Sequence, residues 1–136
     1  MKHIIAALML LIGAAMLPAQ TLHPALALAR EFYDSEQWEQ AVQAFDRAAA
    51  DGALSDRELH KLAYALMQLD RFDRATTVLE GITARNPRAD VAWYNLGIAQ
   101  MNCGRYPAGN DCFRRVTELE PLWAQGWFSL GICQLM

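Results

Sequence analysis

The sequence predicts an all-α solenoid of repeated helix-turn-helix units, and three observations predict it. Past residue 21 the chain repeats itself with a period of about 34 residues. Each period carries two stretches whose apolar residues fall three and four apart, the spacing of a helix face. Turn-forming residues separate those stretches at matching offsets. A chain of 136 residues, 54% hydrophobic and 20% charged, makes one ordinary domain with a real core. That excludes a large multidomain machine and a mainly disordered chain.

The first element is not part of the repeat. Lys2 and His3 precede the uncharged residues 4–17, which as a helix would reach about 21 Å, too short to cross a bilayer comfortably. Pro18-Ala19-Gln20 follows, so residues 1–19 read as a secretory signal peptide cut after Ala19, with Ala25-Leu26-Ala27 a later alternative. A buried N-terminal helix and an uncleaved anchor are the competing readings. Export predicts an extracytoplasmic location, periplasmic or secreted, with no membrane span after cleavage. The mature chain would lose Lys2 and carry a formal charge of 11 − 15 = −4. With Cys103 the first cysteine, a lipid-anchored mature terminus would have no acceptor near the cut.

The repeating region runs over residues 22–136, as units 22–55, 56–89, 90–123 and a partial unit 124–136. Trp93, Leu96 and Gly97 return as Trp127, Leu130 and Gly131, and Pro87 as Pro121. Aromatics recur at Trp38, Phe72 and Tyr106, small residues at Ala41, Ala75 and Gly109, and bulky ones at Phe45, Leu79 and Phe113. In the second unit Leu59, Leu62, Ala63 and Leu66 form one helical stripe, Asp70 and Arg71 interrupt, and Phe72, Ala75, Leu79 and Ile82 form another. Ser55 and Glu58 predict a capping box, and Asn86-Pro87 predicts a helix end. Gly104 supplies a positive backbone angle, and Pro107 fits an early helical position. Gly97, Gly109 and Gly131 each cost about 1 kcal/mol inside a helix relative to alanine, a cost that close helix approach would offset.

This pattern resembles the tetratricopeptide repeat family over essentially the whole mature chain, with about three full repeats plus one helix of a fourth. Gln100 and Gln134 depart from it at a usually aromatic place, and Ala25 and Ala53 where a bulky residue and proline are usual. The resemblance implies a right-handed solenoid whose first helices line a concave groove for a peptide or another protein. Its groove register gives Leu26, Arg30, Tyr33 and Asp34, then Arg57, His60, Tyr64, Met67 and Gln68. The third unit adds Val91, Tyr94, Ile98, Met101 and Asn102, and the partial unit Gln125, Phe128, Ile132 and Leu135. The candidate partner-binding residues are Arg30, Tyr33, Arg57, His60, Tyr64, Met67, Tyr94, Ile98 and Met101. They suggest a ligand with an acidic or polar end near Arg30, Arg57 and His60 and an apolar end near Tyr94, Ile98 and Met101. The competing reading has Arg30 and Arg57 paired with neighbouring acids and Met67 and Met101 filling gaps between helices. The carboxylate clamp of the chaperone-binding subgroup is not expected, because Leu26, Arg30, Arg57 and Asn95 stand at its places.

Site chemistry is not expected. Beyond residue 19 only His23 and His60 remain, in no zinc spacing, and Asn110-Asp111 stands where a phosphate loop needs Lys-Ser or Lys-Thr. No serine lies in a nucleophile elbow. Catalysis, cofactor and metal are therefore all unexpected, and the formal charge of −3 argues against nucleic acid. Export would leave an odd cysteine count in an oxidising compartment, with Cys112 and Cys133 either bridged or separate buried thiols. Trp127, Phe128, Leu130, Ile132 and Leu135 form a candidate C-terminal docking surface, where further repeats, a partner or a second copy would cover apolar residues. The chain then reads as an exported adaptor or as the N-terminal region of a larger envelope protein engaged in assembly, secretion or signalling.

Overall fold

Each period of the sequence folds as two helices joined by a short turn. In the computed structural model, which describes residues 23–136, α1 spans Pro24–Asp34 and α2 Trp38–Ala50, α3 Asp56–Gln68 and α4 Phe72–Arg85. Then come α5 at Asp90–Asn102, α6 at Tyr106–Leu119 and α7 at Ala124–Leu135. Consecutive helices pack against one another throughout, and α3 also touches α5, so the first helices of successive units lie side by side. The architecture is the expected all-helical solenoid, with no strand among the described residues. The signal-peptide reading of residues 1–19 lies outside them. No described helix is long and apolar enough to cross a membrane.

The turn inside each unit is the same device used three times. Glu36, Asp70 and Gly104 adopt φ of 57°, 56° and 72°. The next amide, of Gln37, Arg71 or Arg105, then donates to the carbonyl of Phe32, Leu66 or Gln100 at 2.8, 2.8 and 2.9 Å. This is the Schellman closure, which satisfies carbonyls a helix end would leave orphaned. Only the third unit uses glycine for it, and a side chain in this region costs about 1–2 kcal/mol. Between units two solutions appear. Asn86 and Glu120 are extended, as residues before proline must be, at φ −129° and −131°. The first unit, with Ala53 in place of proline, turns instead at Gly52, φ 68°. Where proline is present, the following tryptophan pins the turn: the Trp93 and Trp127 indoles donate to the Pro87 and Pro121 carbonyls at 3.0 and 2.8 Å. The Ser55–Glu58 capping box forms at the start of α3, and Pro107 sits in the first turn of α6.

Phe45, Leu79 and Phe113, equivalent positions of successive units, are fully buried in the second helices. A Cβ on Gly97 would meet the Phe113 ring at 2.7 Å, and one on Gly109 would lie 3.2 Å from the Gly97 carbonyl oxygen, so α5 and α6 approach backbone to backbone. Gly131 departs from expectation, because a Cβ there would meet nothing within 4 Å. Leu130 also departs from its assignment to the exposed C-terminal surface: it is 9% exposed and packs with Phe113 and Cys133. Its neighbours Trp127, Phe128, Ile132 and Leu135 face outward. Cys112 and Cys133 are separate buried thiols, and the Cys133 thiol donates to the Tyr106 carbonyl at 3.1 Å.

One register therefore predicts opposite signs. Gly97→Ala destabilises by about 1–3 kcal/mol through overpacking against Phe113. Gly131→Ala stabilises by about 1 kcal/mol through helix propensity alone. Urea denaturation of both variants checks this, and equal signs refute it.

Candidate protein-interaction groove

The first helices of the three units open a cleft of about 600 Å³ lined by Tyr33, Arg57, His60, Lys61, Tyr64, Val91 and Asn95. Helical spacing explains the α3 wall: Arg57, His60, Lys61 and Tyr64 are residues i, i+3, i+4 and i+7, one face of one helix. The capping box at Ser55 anchors the start of that face. Tyr33, from α1, is fixed from behind by edge-on contacts with Trp38 at 5.5 Å, Phe45 at 6.5 Å and Tyr64 at 6.1 Å. Tyr64 in turn meets Trp38 at 5.8 Å and remains 41% exposed, so the aromatic wall is rigid yet accessible.

The cations of the cleft differ in how far their charge is already matched. Arg30 lies beside it, donating to the buried Glu58 at 2.5 Å. Burial raises the Glu58 carboxyl, but the Arg30 guanidinium and the Ser55 backbone outweigh it and hold the group below the usual carboxylate range. Lys61 stands 3.6 Å from Asp34 and 4.7 Å above the Tyr33 ring. Arg57 is exposed and has no carboxylate partner among the described residues, which leaves its fork open to a ligand. Half-buried His60 has its pKa lowered by burial, with Asp56 and Asp90 pulling the other way. Burial, then the charges of Tyr64 and Asp34, raises the Tyr33 hydroxyl.

Of the nine candidate residues, the structure brings Tyr33, Arg57, His60 and Tyr64 together. Arg30 borders a smaller recess with Arg57, Glu58 and Lys61. Met67 packs against the main core. Tyr94 lies against Trp123 at 4.8 Å and Phe113 at 5.8 Å, while Ile98 and Met101 pack on Phe113, Leu130 and Cys133. The expected apolar end of the groove is thus engaged in holding α7 to α6. Sequence reasoning passed over Lys61, although its position four residues after Arg57 and three before Tyr64 marks it.

Residues 56–99 match the family model described as tetratricopeptide repeat. Three solved structures share the fold. MamA is 18% identical with a TM-score of 0.76, over 82% of this chain and 65% of that one. YrrB, described as a TPR protein with an unusual peptide-binding site, is 21% identical with a TM-score of 0.77, over 82% and 59%. The first TPR of Spaghetti (RPAP3), bound to the HSP90 peptide SRMEEVD, is 18% identical with a TM-score of 0.73, over 82% and 90%. The chain spans less than two thirds of the MamA and YrrB structures. No curated protein sequence matches it. The fold is that of tetratricopeptide-repeat solenoids.

The Arg30–Glu58 tie yields a stability prediction. Arg30→Met leaves a buried carboxylate without its cation and destabilises by about 1–2 kcal/mol at pH 7, the partial exposure of Arg30 keeping the effect small. Because the folded-state pKa of Glu58 is depressed, its contribution is present above the unfolded value and lost as pH falls through the folded one. Urea midpoints from pH 7 down to pH 3 should therefore fall more steeply for wild type than for Arg30→Met with Glu58→Gln; parallel curves contradict the assignment.

Proposed function

We propose that the chain is an exported interaction module, with no catalysis of its own, that holds a segment of a partner protein against its first helices. An acidic side chain or terminal carboxylate sits at Arg57, beside Lys61, and an apolar residue lies against Tyr64 and Val91. The observation that carries this reading is the unmatched Arg57 in an aromatic-walled cleft, on a chain whose other groove cations have acids of their own. Arginine offers a planar bidentate fork, and tyrosine offers large area at little conformational cost. Two fold relatives are described as peptide binders, which supports a peptide as the ligand class.

His60 makes this binding pH-dependent. Its pKa lies below the ordinary value, so the ring is neutral at pH 7 and gains a positive charge as the pH falls through that pKa. Affinity for an acidic segment rises in that window until ligand carboxylates protonate near about pH 4. Fluorescence anisotropy with labelled SRMEEVD, an acidic probe, reads both effects. Arg57→Glu weakens binding by about tenfold or more, and His60→Gln flattens the pH dependence. Equal affinity of wild type and Arg57→Glu overturns the placement.

Export with cleavage rests on the pattern of residues 1–19 and is checked by N-terminal sequencing of the protein from the extracytoplasmic fraction; a retained Met1 refutes the cleavage, and absence from that fraction refutes export. The outward apolar face of α7 favours a second reading, in which helices of a larger envelope protein, or a second copy, cover Trp127, Phe128, Ile132 and Leu135. Sedimentation across concentration separates these, since only self-association dissolves on dilution.

A further inference from the structure

A second cleft, of about 400 Å³, opens between α4, α5 and α6, away from the groove. One of its lining residues breaks the repeat. Phe32, Leu66 and Gln100 stand one period apart at that position; Phe32 packs on the core and Leu66 is wholly buried. Gln100 is only 6% exposed but brings an amide where the first two units bring hydrocarbon. Its two hydrogen bonds are long, to Glu80 at 3.4 Å and from Arg105 at 3.5 Å, so the amide is poorly satisfied for a buried group. The floor beneath it is apolar, made by Leu96 and Cys112, with Trp93 at the wall held by its bond to Pro87.

The rim of this cleft is acidic. Glu80 has no ion-pair partner among the described residues, and Asp111 has only Arg114 at 3.7 Å, both side chains exposed. Arg105 is drawn off to Asp73 at 2.6 Å, and Arg115 to Glu118 at 3.2 Å. Burial, and after it the charges of Asp111 and Glu80, pushes the buried Cys112 thiol up to about 12. An apolar slot with two carboxylates at its mouth complements a long aliphatic stem ending in a cation.

We propose that this cleft seats a lysine or arginine side chain of a partner protein, its stem against Trp93, Leu96 and Cys112 and its charged head at Glu80 and Asp111. The site is independent of the Arg57 groove and carries the opposite charge preference. One chain then grips an acidic segment on its first helices and a basic residue at the junction of its second and third units.

The test is an amide-resolved NMR titration of the protein with N-acetyl-lysine-N′-methylamide, set against the norleucine analogue, which keeps the stem and lacks the charge. The expected result is saturable shifts at Glu80, Gln100, Asp111 and the Trp93 indole with the lysine probe alone. Glu80→Gln with Asp111→Asn, both exposed positions, weakens binding by about tenfold. Gln100→Leu restores the hydrocarbon of the second unit and raises the Tm while the carboxylates that bind the probe remain. Arg57→Glu leaves the titration unchanged, which separates this site from the groove. Absence of saturable shifts, equal response to norleucine, or unaltered binding by the double variant overturns the proposal.

Discussion

Two helices come into backbone contact only where their side chains leave room, and the small residues facing each other within a unit provide that room. In the third unit the pair is Gly97 and Gly109, with Phe113 filling the space beside them. Ala63 and Ala75 stand at the same positions in the second unit, and Ala29 and Ala41 in the first, all essentially without exposure. That contact sets the separation of the two helices, and its recurrence in every unit stacks first helix on first helix. Tyr33, Arg57, Tyr64 and Val91 come from three helices, and they share a cleft only because the stack brings those helices side by side. A larger residue at either small position would move the wall of the binding site as well as cost stability.

Charge is distributed by the same repeat. Glu39 pairs with Arg71 at 2.8 Å and Asp73 with Arg105 at 2.6 Å, two ion pairs one period apart that tie the start of one second helix to the next turn. Each is exposed and individually weak. Their effect is to use up acids and cations along the flank, so that an unmatched charge of either sign becomes conspicuous. Arg57 in one cleft and Glu80 in the other are such residues, and their surroundings differ accordingly, tyrosine in the first and buried aliphatic side chains in the second.

What could be read from the sequence was whatever depends on local chemistry. The Ser55–Glu58 cap, the positive angle at Gly104, the Pro107 helix start and the periodic stack follow from residue type and spacing. The angles at Glu36 and Asp70 do not, because neither residue type announces a left-handed conformation; only their alignment with Gly104 does. Register likewise cannot say whether a neighbour is present: it gives Gly131 the crowding of Gly97 and Leu130 the exposure of Phe128, and the structure gives them neither. In the groove, Tyr94, Ile98 and Met101 fall on the first-helix face by period, yet Trp123 and Phe113 occupy their surfaces through contacts that periodicity does not encode. Gln100 stood out as an exception to the repeat, but its consequence required the depth of the cleft beside it.

Helix α7 contains no charged side chain at all. It is joined to α6 through Leu130, Cys133 and Gly126, the last of which lies close under Val116, whereas α1 to α4 and the turn before α6 are also bridged by ion pairs. The two parts of the stack therefore differ in their response to salt. Added salt screens the bridged helices and leaves the α7 seam without that loss, while cooling weakens the apolar packing of both. A rise in ionic strength then loosens the earlier helices slightly and leaves the hold of α6 on α7 where it was, an asymmetry along the stack.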